Sequence, residues 1–534
     1  MRDNFYNTGL LTRLILRRER VTSSLWIILT AGFASLLALG LTAAIDEVSR
    51  FEMLLVLDNP AMVAMIGPII GRYNFTFGAM YTTFMLVFTA IAVVVMNILL
   101  VVRHTRADEE KGRYEVVRSL PTGRLAHLNA TMISAVLINV ILAVLTGILI
   151  FLLGDESMCL NGSMLWGALL GAVGLVFAAI AAVFSQLSAN SKGATGYSLL
   201  LMGVFYMLRA MGDVSVDALS LISPLGLILR AEAFAGNYWW PVFASLAIAA
   251  PITFLAYRLN LTRDIDQGLL PDKQGKAEGG KLLKTPFGLT LKLSKTGLIV
   301  GVITIFSIGA SYGTVMSDID GFIAANEFYR QLILWMDGIS MPLLFAGMIN
   351  FVATMIALIP MLMYVLRARS EEREIRAELV LATPVSRVKY LAGYAIIAFV
   401  SSIILQMLTA FGLWMTAASV LPNPEEFPLG TVMMANLIYL PALWVMIGFT
   451  LFLIGVLPKA TGMIWAVYGV VFLLGMFGRM DIFPAWIQNI TPFGYIPQYP
   501  MESIGWASMA VLTLVAAGLA AIGFIGFKRR DVMV

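Results

Sequence analysis

Cysteine and histidine are almost missing from this chain. Its single cysteine, Cys159, excludes an intramolecular disulfide and a cysteine-based metal site. The two histidines, His104 and His127, flank one polar stretch without a convincing ligand partner nearby, so neither zinc chemistry nor a catalytic dyad is expected. Charge is scarce as well: 13% of the 534 residues are Asp, Glu, Lys or Arg, against about 25% in a soluble domain. The long apolar runs hold no Asp, Glu or Lys, and the one Arg inside a run, Arg209, lies near its end. Proton-coupled carriers bury carboxylates as relays, so this absence argues against proton drive. Alternating strands of about ten residues with turn signals are lacking, which excludes a membrane β-barrel. No small-residue cleavage site follows the first apolar run, and no removable signal peptide is expected.

What is present is apolar: 59% of the residues are hydrophobic and the mean hydropathy is +0.86. Runs long enough to cross a bilayer, roughly 18–25 residues, recur twelve times between residues 24 and 527. The expected fold class is therefore an all-α polytopic membrane protein with about 12 transmembrane helices. With both termini placed inside, only six of the 36 Lys and Arg fall in outer loops: Arg50, Arg72, Arg209, Arg230, Arg330 and Arg479. Basic residues mark cytoplasmic loops, so N- and C-termini are expected in the cytoplasm of a multi-pass cell-membrane protein. The net charge of +4 then reflects topology and contact with anionic lipid, not nucleic acid. At the start, "LLTRLILRRERV" sets Leu11, Leu14 and Ile15 on one helical face and Arg13, Arg17 and Arg20 largely opposite. That pattern predicts an amphipathic interfacial helix over about 10–21.

The chain repeats itself. "RADEEKGRYEVVRSLPTGR" (106–124) is answered by "RSEEREIRAELVLATPVSR" (369–387). Arg106 pairs with Arg369, Glu109 with Glu372, Arg113 with Arg376, Glu115 with Glu378, Pro121 with Pro384 and Arg124 with Arg387. "KGATG" (192–196) answers "KATG" (459–462), "SPLG" (223–226) answers "TPFG" (491–494), and "TRD" (262–264) answers "RRD" (529–531). Landmarks in the same order describe a duplicated six-helix unit, both copies running in the same sense. The expected halves are residues 1–265 and 291–534. Between them the Gly- and Lys-rich stretch 266–290 reads as a cytoplasmic linker. Within it "GKAEGGKL" approaches a phosphate-binding loop, but Leu282 stands where the magnesium-binding hydroxyl belongs and no buried strand precedes it. The chain has no nucleotide site of its own by this reading.

Each copy places a charged helix between its second and third spans, closed by Leu120-Pro121 or Thr383-Pro384, since the residue before proline resists the helical basin. A Glu, a Pro six residues on and an Arg three further (Glu115, Pro121, Arg124; Glu378, Pro384, Arg387) resemble the coupling helix of type-2 export permeases of the ATP-binding-cassette superfamily. The terminal "RRD" fits the same resemblance. "DNPAMVAMIGPIIG" (58–71) and the fusion of two six-span halves resemble the polyketide-antibiotic and multidrug export branch in particular. The resemblance implies a complete permease in one polypeptide, with no cofactor of its own. Two copies of a separate ATPase subunit, carrying ATP and magnesium, would dock on 106–124 and 369–387, with Arg106, Glu109, Arg113, Arg369, Glu372 and Arg376 among the coupling residues. The cargo implied is a hydrophobic or amphiphilic small molecule.

The same resemblance places the path along the second and fifth spans of each half. Candidate lining residues are Asn97, Met202, Phe205 and Tyr206 in the first half, and Asn350, Trp465, Tyr468, Phe472 and Met476 in the second. Soft and aromatic side chains re-pack around varied apolar ligands, although the same residues suit ordinary helix packing. Asn97, Asn139 and Asn350 read either as interhelical hydrogen-bond glue or as substrate contacts. A lipid or glycoconjugate exporter shares this architecture. A secondary drug antiporter would want a buried carboxylate and a Gly-Asp-Arg-Gly-Arg type loop after the second span, which are missing.

Overall fold

The computed structural model describes the chain apart from residues 1, 45–49, 52, 55–56, 59, 265–266, 271–277, 315, 317–340, 422, 478–488 and 532–534. Every regular element among the described residues is helical. Among the described residues eleven helices are long and apolar enough to cross a membrane, and a further apolar helix, Met463–Met476, is shorter. Packing separates two compact units, Met1–Gln274 and Gly275–Val534.

In the first unit, α1 (Thr8–Ala44) leads to a short α2 (Pro60–Ile66) and then α3 (Phe77–Arg103). The polar stretch forms α4 (Arg106–Glu110) and α5 (Arg113–Arg118). Then come α6 (Ala126–Phe151), α7 (Leu160–Leu187), α8 (Ser191–Val214), the short α9 (Asp217–Ile222) and α10 (Pro224–Leu229), and α11 (Trp240–Thr262). Capping side chains start several of them. Thr76 accepts from the Ala79 N–H and Asn190 from that of Gly193, satisfying donors that a helix start leaves open. The fourth span, α7, is the hub and packs against α3, α6, α8 and α11. Small residues allow this: a Cβ on Gly167 would run into the Ala143 carbonyl of α6, the close backbone approach that membrane helix pairs use.

The second unit repeats the order with α12 (Pro286–Thr314), α13 (Met341–Arg373), α14 (Arg376–Leu381), α15 (Arg387–Val420), α16 (Leu429–Leu437), α17 (Leu440–Val456), α18 (Met463–Phe477) and α19 (Trp506–Arg529). The fourth span is broken here into α16 and α17, with Pro441 in the first turn after the break. First and third spans pack closely in both units, as do fourth and sixth. Lipid-facing belts remain open. Leu25, Leu29 and Leu36 of α1 and Val511 and Leu514 of α19 are more than half exposed, apolar surface that water would not tolerate in this amount. This is a polytopic all-α membrane protein.

Three expectations change. The amphipathic start is not a separate interfacial helix. It is continuous with the first span in a 37-residue helix, about 55 Å long, because no Gly or Pro breaks the chain between the basic face and the apolar run. Leu11 and Ile15 are buried against Ala126 and Ala130 of α6, while Leu14 stays exposed. The linker is also shorter and partly docked. Leu269 and Leu270 donate backbone bonds to Gln186 and Leu187 at 3.2 and 2.9 Å, and α12 already begins at Pro286. The near phosphate loop lies partly outside the described residues; Lys281–Lys284 form one 3-10 turn. Finally, α8 runs past its apolar window and carries a fully buried carboxylate. Asp213 pairs with Arg209 at 3.3 Å, both side chains 0% exposed, so the charge is neutralised on the helix that carries it.

Candidate functional site

The two polar stretches fold alike. After the second span the helix is interrupted at a left-handed residue, Gly112 (φ +65°) in the first unit and Ile375 (φ +63°) in the second. These positions match in the repeat. Glycine takes that conformation freely, whereas a β-branched residue there is strained by about 1–3 kcal/mol. The fold imposes the turn even where the residue resists it. The following helices, Arg113–Arg118 and Arg376–Leu381, have six residues each and end before their Leu-Pro and Thr-Pro pairs. The stretch is thus a two-part element, not one continuous polar helix.

Its root is buried. In the first unit Glu109 receives Arg106 at 2.7 Å and also the Arg263 guanidinium, and all three residues are at most 6% exposed. Arg106 Nε donates to the Ala189 carbonyl at 2.9 Å, and Arg263 Nε to Gln186 Oε1 at 2.6 Å. In the second unit Glu372 receives Arg369 at 2.9 Å and Arg530 in a two-pronged contact at 2.6 and 2.7 Å. Forked Arg–carboxylate contacts fix orientation as well as distance. Arg263 and Arg530 are the arginines of the matching "TRD" and "RRD". The root therefore ties the polar element to the end of the sixth span of its own unit.

Arg124 and Arg387 serve the same junction. Arg124 Nη2 donates to the Arg263 and Asn260 carbonyls at 2.9 and 3.3 Å, and Arg387 Nη1 to those of Arg530 and Lys528 at 2.6 and 3.2 Å. Cations at these open carbonyls complement the C-terminal end of a helix. Pro121 is exposed, its carbonyl bonded by Asn7 at 2.8 Å, and Pro384 is exposed. So of the twelve residues singled out in sequence, Arg106, Glu109, Arg124, Arg369, Glu372 and Arg387 are tied to the sixth-span junction of their own unit.

The tip points out. Tyr114 and Ala377 turn inward and are buried, while Glu115 and Glu378 are exposed at the next position. Beside them Val116 is 68% and Leu379 75% exposed. Arg113 reaches back to Asp108 at 3.1 Å, and Arg376 to Glu371 at 2.6 Å. Each tip thus presents a carboxylate beside an aliphatic side chain on a short helix held by a rigid base. Sequence reasoning missed Val116 and Leu379, as well as Gln186, Arg263 and Arg530 as root partners. Their signal was present: the two arginines recur at the repeat spacing next to Asp264 and Asp531.

The substrate-path candidates lie among packed helices. Asn97 and Asn139 exchange hydrogen bonds at 3.0 and 2.6 Å and are no more than 1% exposed. Asn350 accepts from Asn436 at 3.3 Å, both equally buried. Phe205 meets Phe177 edge-on at 6.1 Å. Tyr206 donates to the Met65 carbonyl at 2.9 Å and Tyr468 to that of Met355 at 3.1 Å. Met202 and Phe472 are partly buried, and Trp465 and Met476 are 40% and 45% exposed. His104, without a partner in the sequence reading, sits 2.8 Å from Glu19 of α1. That contact spans 85 positions, beyond the reach of local pattern. Among the described residues no group of three or more His, Cys, Asp or Glu side chains could hold a metal ion.

The family model described as "Multidrug efflux system permease Rv1217c, C-terminal domain" matches residues 11–258 and 283–528, two stretches of nearly equal length. The multidrug efflux system permease protein Rv1217c of Mycobacterium tuberculosis (strain ATCC 25618 / H37Rv) is 32% identical over 536 residues, covering 99% of this chain and 96% of that protein. With two matching halves and a relative that aligns over nearly its whole length, this chain belongs to the family of the multidrug efflux system permease Rv1217c.

Proposed function

We propose that this chain is the membrane permease of an ATP-driven exporter that moves hydrophobic or amphiphilic small molecules, of drug or polyketide-antibiotic type, out of the cell. The relative's printed role in multidrug efflux supports the cargo class. The energy source is proposed from one observation: two exposed six-residue helices, alike in backbone, each presenting a Glu beside a bare aliphatic side chain on a buried ionic root. A solvated loop has no need of a paired, rigid and partly apolar tip. A homodimer of a separate ATPase would seat one tip in each subunit and supply ATP and magnesium, while the permease itself catalyses no reaction. The termini and both tips then face the cytoplasm.

Inverted membrane vesicles from cells expressing the permease together with a separate ATPase subunit test the energy source. Drug uptake is expected to require ATP, to stop with vanadate and to persist when a protonophore collapses the proton gradient. Uptake that follows the proton gradient without ATP would instead favour a secondary antiporter, with the Arg209–Asp213 pair as its first suspect.

Orientation has its own test. Cys159, the only thiol, is exposed in the turn before α7. A membrane-impermeant maleimide is expected to label it on intact cells. Labelling only after the membrane is opened would reverse the proposed topology.

A further inference from the structure

His104 is fully buried in the first unit. Its Nε2 lies 2.8 Å from Glu19 Oε1, and its Nδ1 faces Asp108 Oδ2 at 3.7 Å, just beyond hydrogen-bond reach. Asp108 is held by Arg18 of α1 at 2.8 and 3.1 Å and by Arg113 at 3.1 Å. Arg103 reaches Glu19 at 3.0 Å. His127 of α6 lies against Tyr114, ring centroids 5.3 Å apart. The charged or titratable groups around His104 are thus Arg18, Glu19, Arg103 and Asp108, with Arg113 behind Asp108 and His127 on the neighbouring helix.

The second unit builds the same relay from a permanent cation. Arg367 matches His104, Glu371 matches Asp108 and Arg376 matches Arg113 at the repeat spacing. Arg367 Nη1 donates to the Leu293 carbonyl of α12 at 2.6 Å and its Nε lies 3.5 Å from Glu371. Glu371 in turn holds Arg376 at 2.6 Å. In both units the chain of contacts runs from the first span, through the end of the second, to the first residue of the exposed tip helix.

We propose that His104 is a proton-dependent positioning residue for α5: when protonated it attracts Asp108 with a full charge, as Arg367 attracts Glu371 across 3.5 Å without a hydrogen bond, and when neutral it does not. A neutral imidazole donates one hydrogen bond, here to Glu19, whereas the imidazolium donates from both nitrogens. Closing the Nδ1–Asp108 gap to a normal bond needs a shift of about 0.8 Å. Arg113 rides on Asp108 and opens α5, so the shift reaches Glu115 and Val116. Burial and Arg18 oppose the proton, but Asp108 and Glu19 outweigh them and raise the His104 pKa above the usual histidine value. Proton uptake adds the second bond, so α5 is held more tightly as pH falls and released as it rises. The second tip keeps one state throughout. This inference deepens the docking role proposed for α5, but its test needs no ATPase, so the two can fail separately.

The full chain with Cys159→Ser and Val116→Cys, spin-labelled at residue 116 in lipid nanodiscs, reports α5 mobility directly. As pH rises through and beyond the usual histidine range, since the His104 pKa is raised, the spectrum is expected to move from immobile to mobile. His104→Arg should stay immobile across that range and His104→Gln should stay mobile, while His127→Phe keeps the full change. The same label at Leu379→Cys should not respond to pH. No pH response at residue 116, an equal response at residue 379, or a response that survives His104→Gln would each overturn the proposal. Loss of the response in His127→Phe would reassign it to the only other histidine.

Discussion

Glu109→Ala is expected to destabilise the first unit by about 3–5 kcal/mol, the cost of leaving a buried charge without its partner. Arg263, its side chain only 4% exposed, loses its countercharge, and the equally buried Arg106 loses one of its contacts. Gln186 and the Ala189 carbonyl keep their bonds to these arginines but carry no countercharge. Glu372→Ala should cost less, toward the lower end of that range. Arg369 and Arg530 are 17% and 16% exposed, so their guanidinium groups can recover water when the carboxylate goes. Thermal unfolding of the detergent-purified chain, followed by size-exclusion chromatography, reads both effects. Equal melting of Glu109→Ala and wild type would show that the root is not an ionic lock.

The second large effect concerns the tips. The Glu115→Ala, Glu378→Ala double variant is expected to lose the ATPase on co-purification and to lose drug-stimulated ATP hydrolysis, with membrane insertion unchanged. Exposed ion pairs are worth about 0.2–1 kcal/mol, but a charge enclosed by a partner's groove costs about 2–5 kcal/mol to truncate. Each single variant should keep part of the activity, because the other tip remains. The two need not be equal: Val116 and Leu379 differ in size, and only the first tip hangs from a histidine. A double variant that retains ATPase binding and hydrolysis at wild-type level would mean these helices are solvated turns. Glu109→Ala separates the two ideas, since it strikes stability first and the tip variants strike binding alone.

The contrast between root and tip explains how far sequence reading reached. Helix number, fold class and duplication were open to it because they depend on local quantities. A run of some twenty apolar residues needs a bilayer whatever surrounds it, and matched landmarks need no structure to be counted. The polar stretches were visible for the same reason, as charge where charge is scarce. Their division into root and tip was not. Glu109 and Glu115 are six residues apart and chemically identical, yet one is buried between two arginines and the other faces out.

Composition and periodicity by themselves determined that this protein crosses the membrane as two like sets of apolar helices, each with one charged interruption. Only the tertiary structure decided what the charges do. Arg263 meets Glu109 across 154 positions and Arg530 meets Glu372 across 158, and the apolar face of the amphipathic start found its cover in α6, which buries Leu11 and Ile15. The physical reason is range. Hydrophobic periodicity is written along a few turns of one helix, whereas the partner of a buried charge is chosen by which helix ends meet in space.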